Sequence, residues 1–335
     1  MNKKHILVTG GAGYVGSLLV PQLLGAGHAV TVYDIMFFGN DFLPHDNPNL
    51  TVISGDIRNE SFFKDACKNI DVVINLACIS NDASFVLNEE LSTSINLNAF
   101  EPMVIAAKSA GVKRFIYASS SSVYGVSESP NVTEEHPLVP LTLYNEYKGK
   151  CEPLLFKHQS DEFVCTVIRP ATLCGYAPRQ RLDLSVNILT HNAIMHDKIT
   201  VFGGSQKRPN LHIQDMCDLY EMLVSIDSEK VAGEIFNAGF MNMSILDIAG
   251  RVQEIVRQEY PEKIDIEVET TPTDDIRSYH VNSEKIATKL GFVPTRSVDD
   301  AIRDLCNAFK AKKLPNSIED DRYYNVKLLQ KIKAS

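Results

Sequence analysis

The sequence is short of positive charge. Its formal net charge is −9 and its pI is near 5.5, a balance that speaks against a nucleic-acid partner. No basic run points to a membrane surface, and no window approaches the ~20 apolar residues of a membrane span. The first apolar segment is too short, and too quickly followed by glycines, for a signal peptide. Cysteines stand at 67, 78, 151, 165, 174, 217 and 306, odd in number, scattered and without a C-x-x-C pair. That pattern excludes a disulfide framework and a cysteine zinc site, so no metal is expected, and it fits reduced thiols in a cytoplasmic protein. Tryptophan is absent, which excludes nothing. Internal repeats and low-complexity segments are lacking too.

What is present has the proportions of an ordinary globular protein, 44% hydrophobic and 22% charged over 335 residues, long enough for two domains or one domain with an elaborated lobe. The organising stretch is Ile6-Leu7-Val8-Thr9-Gly10-Gly11-Ala12-Gly13-Tyr14-Val15-Gly16. A short apolar strand leads into glycines, and Val15, Leu18, Leu19 and Leu23 then recur at helical spacing. Glycines at a strand-to-helix turn allow a tight bend (Gly10), close backbone approach to a pyrophosphate (Gly13) and close packing of helix on strand (Gly16). The helix N-terminus, at Tyr14 and Val15, offers free N–H groups and partial positive charge to phosphate. The next strand, residues 29–33, ends in Asp34, about where an acidic residue ~20 positions on bonds the adenosine ribose. Asp34 would repel a 2′-phosphate, and no Arg or Lys follows in Ile35-Met36-Phe37-Phe38. NAD is therefore favoured over NADP.

Further apolar runs at 50–53, 70–76, 113–118 and 164–169 alternate with helical patterns. This rhythm predicts an α/β fold, a doubly wound parallel Rossmann sheet covered on both faces, over residues 1–170. Asp56 follows the third strand at the edge where ligands sit; it either bonds the adenine amino group, with backbone N–H groups around Ile57 on the ring, or caps the next helix. Leu76 and Ala77 line the same edge. Residues 89–110 read as a long helix interrupted by Pro102, and Asn96 within it is either a buried structural polar group or a residue orienting the site loops. Beyond Pro170 the rhythm is less regular and suggests a smaller α/β substrate lobe over 171–335, with segments near 205–240 returning to the main sheet. Residues 264–268 read as a further strand, 300–310 as the last regular helix, and the polar tail from Leu314 as wrapping or fraying.

Tyr144 and Lys148 share a helix face, four residues apart. A phenol with a pKa near ~10 is a poor base at neutral pH. An ammonium one turn away, and the positive ring of an oxidised nicotinamide, would favour the phenolate.

On these residues the chain resembles the extended short-chain dehydrogenase/reductases, the NAD-dependent nucleotide-sugar epimerase/dehydratase family. The matching elements are the glycine turn, Gly55-Asp56-Ile57-Arg58, Asn75-Leu76-Ala77, Ala118-Ser119-Ser120-Ser121-Ser122-Val123-Tyr124-Gly125, Tyr144 with Lys148, Arg169-Pro170 and, in the second half, Arg208-Pro209-Asn210-Leu211-His212. The resemblance implies that Ser120 bonds the sugar hydroxyl beside Ser121 and Ser122. Tyr144 would take its proton as hydride leaves, and Lys148 would also bond the nicotinamide ribose. Arg208 would meet the substrate diphosphate, with Arg277 a second candidate and Asn187 a candidate for the nucleotide. It also implies a homodimer through the helices matching 89–110 and 145–159.

Two departures matter. Family dehydratases and decarboxylases carry an acidic residue just before the Val of Val-Tyr-Gly, whereas this chain has Ser121 and Ser122. Loss of water needs a proton donor for the leaving hydroxyl, and neither serine is acidic enough. Many epimerases have Asn three positions after the residue matching Arg169; here it is Thr172. The expectation is oxidation at a ring carbon of a nucleotide sugar, at C4, by an epimerase. A dehydrogenase or keto-reductase with net redox is the alternative, and a non-catalytic NAD-binding regulator a third.

Overall fold

The computed structural model describes residues 3–127, 129, 131–273, 278 and 280–332. The first six apolar runs form strands: β1 (His5–Thr9), β2 (Ala29–Asp34), β3 (Leu50–Ser54), β4 (Val72–Asn75), β5 (Arg114–Ala118) and β6 (Val164–Pro170). Between them run α1 (Gly16–Gly25), α2 (Glu60–Ala66), α3 (Asp82–Phe85), α4 (Glu89–Thr93), α5 (Phe100–Ser109) and α6 (Leu143–Phe156). The second half holds β7 (Thr172–Cys174), α7 (Ser185–His196), β8 (Lys198–Phe202), β9 (Lys207–His212), α8 (Ile213–Ser225), β10 (Glu234–Ala238) and β11 (Met241–Ser244). After these come α9 (Ile245–Glu259), β12 (Glu267–Thr271), α10 (Glu284–Leu290), α11 (Val298–Lys310) and α12 (Asn325–Ile332).

The main sheet has the order β3-β2-β1-β4-β5-β6-β10 and is parallel throughout. From β1 the chain winds outward to β3 on one side and, from β4, to β10 on the other. Strand order reverses between β1 and β4, which opens a crevice at their carboxyl ends. There Thr9 stands opposite Asn75, and its hydroxyl donates to Asn75 Oδ1 at 2.6 Å.

Both faces of the sheet are covered, which is why its strands read as unbroken apolar runs. On one face Leu19, Val20 and Leu23 of α1 pack with Met216, Leu219 and Tyr220 of α8. On the other, Phe63, Phe100, Met103, Cys151 and Leu155 pack under α2, α5 and α6. Each fully buried Leu or Phe contributes about 1.5–3 kcal/mol. The lobe has its own core, Val186, Leu189, Ile199, Val201, Ile255 and Ile302 among its members. Two of its helices, α9 and α11, begin with reciprocal capping boxes, Ser244 with Asp247 and Ser297 with Asp300. Among the described residues, no helix is long and apolar enough to cross a membrane.

Three expectations are corrected. The pattern at 89–110 is not one helix. It is divided into α4, a π turn over Ser94–Asn98 that holds Asn96, and α5, so the irregularity comes ahead of Pro102. The strand expected at 264–268 lies at Glu267–Thr271. The stretch 300–310 is not the last regular helix, since α12 follows and docks through Leu328 and Leu329, each 7% exposed.

Candidate active site

The crevice opens into a cleft of about 490 Å³ that runs from the glycine turn to Tyr144. At the first end, Gly10 has φ +67°, and a Cβ there would lie 2.8 Å from the Ala77 amide. A Cβ on Gly16 would collide with the Gly11 backbone. The turn therefore needs glycine at both positions, for backbone angle and for close packing. The amides of Tyr14 and Val15, just ahead of α1, have no acceptor among the described residues. The Tyr14 side chain itself points away, its hydroxyl donating to Gly175 O at 2.6 Å. Free amides at a helix start, in a cradle that a Cβ would fill, fit a dinucleotide diphosphate.

Asp34 sits beside this turn. Its carboxylate accepts from the Ala12 amide at 3.0 Å and the Met36 amide at 2.8 Å. Burial raises its pKa, and those amides with the Arg179 charge offset part of the rise. Asp56 lines the cleft with Ile57, but the helix-cap role falls to Asn59, whose side chain accepts from Phe62 N. The Asp56 carboxylate instead accepts from Arg58 Nε at 2.9 Å and from the Arg58 amide at 2.8 Å. Burial raises its pKa, and the Arg58 hydrogen bonds and charge outweigh that and hold it low. Leu76 and Ala77 form the floor.

At the far end, Thr142 caps α6 through the Asn145 amide, which starts the helix so that Tyr144 lines the cleft, with Lys148 one turn on behind it. The half-buried Tyr144 has its pKa raised, above all by burial, with Cys78 and Asp82 adding and Arg181 opposing. Lys148, 5% exposed, donates from Nζ to Ala118 O at 2.7 Å, and Nζ lies 6.0 Å from the Tyr144 ring centroid. Nζ is held on that carbonyl and makes no hydrogen bond to the phenol in this arrangement. Ser120 and Ser122 hydroxyls lie 2.6 Å apart, and Ser122 donates to Asn145 Oδ1. Ser121 also borders the cleft, as does Arg208, whose Nη1 donates to Lys207 O.

Behind the serines lies a buried ion pair. Arg169 grips Glu152 through Nε at 3.0 Å and Nη2 at 2.6 Å, and Ser119 donates to the same carboxylate at 2.6 Å. Asn96 answers its own question: it accepts from Ile79 N at 2.8 Å and donates to Ile79 O at 2.9 Å, so it orients the loop that walls the cleft.

Asn187 is a correction. It is fully buried, accepts from Gly175 N, and donates to Tyr14 OH and Arg181 O. Its amide is used up inside the protein, and it does not reach a nucleotide. Arg277 lies outside the described residues.

Several cleft residues escape a reading of the sequence. Arg179 stacks on Phe38, 3.6 Å from the guanidinium carbon to the ring centroid, so a cation stands near Asp34 after all. Arg181 pairs with Asp183 at 2.9 Å. Asp82 accepts from Thr142 Oγ1 at 2.5 Å and from Asn145 Nδ2 at 3.5 Å. The run Arg179-Gln180-Arg181 after β7 was the one local signal, two cations in three residues beside a predicted ligand edge.

A family model described as "NAD dependent epimerase/dehydratase family" matches residues 6–239, and the chain belongs to that family. It is an NAD-dependent enzyme. The chain is 27% identical over 324 residues to the UDP-glucose 4-epimerase of Lactobacillus helveticus, with 89% of this chain and 94% of that one covered. It is likewise 27% identical over 324 residues to the dTDP-glucose 4,6-dehydratase of Streptomyces niveus, covering 89% and 90%. Among solved structures, MoeE5 in complex with UDP-glucuronic acid and NAD aligns with TM-score 0.79 at 25% identity, over 92% of this chain and 99% of that one.

Proposed function

We propose that the protein epimerises a nucleotide-diphosphate sugar through a transient ketone at a ring carbon, C4. When bound, NAD supplies the hydride acceptor and returns the hydride. As the phenolate, which the positive nicotinamide ring of bound NAD would favour, Tyr144 receives the hydroxyl proton of the sugar, and Ser120 holds that oxygen. Lys148 reaches the nicotinamide ribose once it leaves Ala118 O. Arg208 stands where it can neutralise the substrate diphosphate, and Ser121 and Ser122 border the sugar. The observation that carries the reading is the serine pair ahead of Val123: a site without a carboxyl there has no acid at that point to expel a hydroxyl. The ketone is then reduced again in place.

A second reading, dehydration, is favoured by Asp82, which brings a carboxylate into the cleft from another element. Mass spectrometry of products from UDP-glucose and dTDP-glucose separates the two. An epimerase returns a sugar of unchanged mass. A dehydratase product is lighter by one water, and Asp82→Asn would then abolish it. Accumulation of NADH with either sugar overturns both in favour of net oxidation. A homodimer through α5 and α6 belongs to the same proposal. Ile105 on α5 is 44% exposed, and light scattering at micromolar concentration reads the mass.

A further inference from the structure

The C-terminal segment does more than end the fold. Leu182 N donates to Tyr323 O at 2.9 Å, which lays the tail against the loop after β7. Asn325, only 3% exposed, then ties three segments together. Its backbone amide donates to Asp183 Oδ2 at 3.1 Å, its side-chain amide donates to Ser80 Oγ at 2.8 Å, and its Oδ1 accepts from Arg179 Nη2 at 2.6 Å. One turn on, Leu329 enters the core beneath the 78–82 loop and borders the cleft.

Arg179 is the residue that gives this arrangement a purpose. It is 5% exposed, and its Nε has no hydrogen-bond partner. Burial, together with the neighbouring Arg181 charge, lowers its pKa to about 9. A buried guanidinium with an unmade hydrogen bond is costly unless an anion completes it. Its backbone amide donates to Ser17 Oγ in the first turn of α1 at 3.0 Å, so it stands over the helix start that offers the free amides of Tyr14 and Val15.

We infer that Asn325 is a clasp of the cofactor site, holding Arg179 over the dinucleotide diphosphate and the tail across the cleft, so that NAD stays bound between turnovers. The inference rests on the reading that this cleft holds NAD. Retention also serves epimerisation, which must return a hydride before the cofactor leaves.

The test is the rate at which bound NAD exchanges for isotopically labelled NAD in the full chain, read by mass spectrometry of the dinucleotide released on denaturation. Asn325→Leu keeps the volume and removes the side-chain hydrogen bonds. It is expected to speed release about tenfold or more, as loss of a hydrogen bond to a charged group does. Asn325→Asp keeps an acceptor for both Arg179 and Ser80 and is expected to release slowly, like the parent. Arg179→Gln should match Asn325→Leu, and the double variant should be no faster than the quicker single one, because both act through the same contact. If Asn325→Leu does not fold, Arg179→Gln carries the same expectation. Release from Asn325→Leu or Arg179→Gln as slow as from the parent overturns the clasp and leaves the cofactor site standing. A parent protein that binds no NAD overturns both.

Discussion

The two ends of the cleft are built in opposite ways. The dinucleotide end comes from one continuous stretch, residues 6–34, in which strand, glycine turn and helix follow one another and each residue acts on near neighbours. The proposed sugar end is a convergence: Ser120 and Ser122 from the turn after β5, Tyr144 from α6 with Lys148 behind it, Asp82 from α3, and Arg208 from a strand of the lobe. A motif that works through its own backbone tolerates little change at its glycines. A convergent site depends on what holds its contributors in place, here the Arg169–Glu152 pair, the Asn96–Ile79 pairing and the Thr142 cap.

The largest effect that separates the ends is on turnover. Tyr144→Phe removes the proposed proton acceptor and leaves the glycine turn intact, so turnover is expected to fall by about 10²-fold or more while NAD affinity, measured by calorimetry, stays the same. Parallel loss of NAD binding would show that the ends are not independent. Next comes Glu152→Leu, which strands Arg169 in the interior. Breaking a buried pair costs about 3–5 kcal/mol, to be read from urea unfolding, and the Ser119–Ser122 turn loses its anchor with it. Gly10→Ala is expected to act at the other end alone. A side chain at φ +67° against the Ala77 backbone costs on the order of 1–3 kcal/mol and should weaken NAD binding before it alters the sugar site.

The smallest effect is on pH dependence. Burial alone would raise the Asp183 carboxyl, but Arg181 overrides it and holds the pKa below 3.8. Its folded pKa lies below the unfolded one, so its stabilisation is complete above about pH 4 and is lost as pH falls through the folded value. Asp34 has the opposite sign: burial lifts its pKa above 3.8, so the stability it contributes at low pH is lost as pH rises through its folded value. Thermal midpoints of the cofactor-free protein across this range should show Asp183→Asn flattening the acid limb and Asp34→Asn removing the opposing slope.

How far the sequence carried this protein follows the same division. Residues 6–34 announced strand, turn and helix together, because backbone angles, helix periodicity and free terminal amides are all set within a few residues. The alternation of apolar runs announced the parallel sheet for the same reason. Asn187 misled, since nothing local distinguishes an amide that lines a cleft from one consumed by Gly175 and Tyr14. The break at Ser94–Asn98 was hidden because Asn96 bonds a loop seventeen residues earlier.

The sequence by itself thus determined a dinucleotide turn, a doubly wound sheet and a tyrosine–lysine pair on one helix face, all products of short-range geometry. Tertiary packing alone decided that Arg179 lies on Phe38, that Lys148 rests on Ala118 O, and that Asn325 borders the cleft bonded to Arg179, Asp183 and Ser80. Those positions depend on contacts between residues up to 245 apart in the chain, and on burial, which no local pattern encodes.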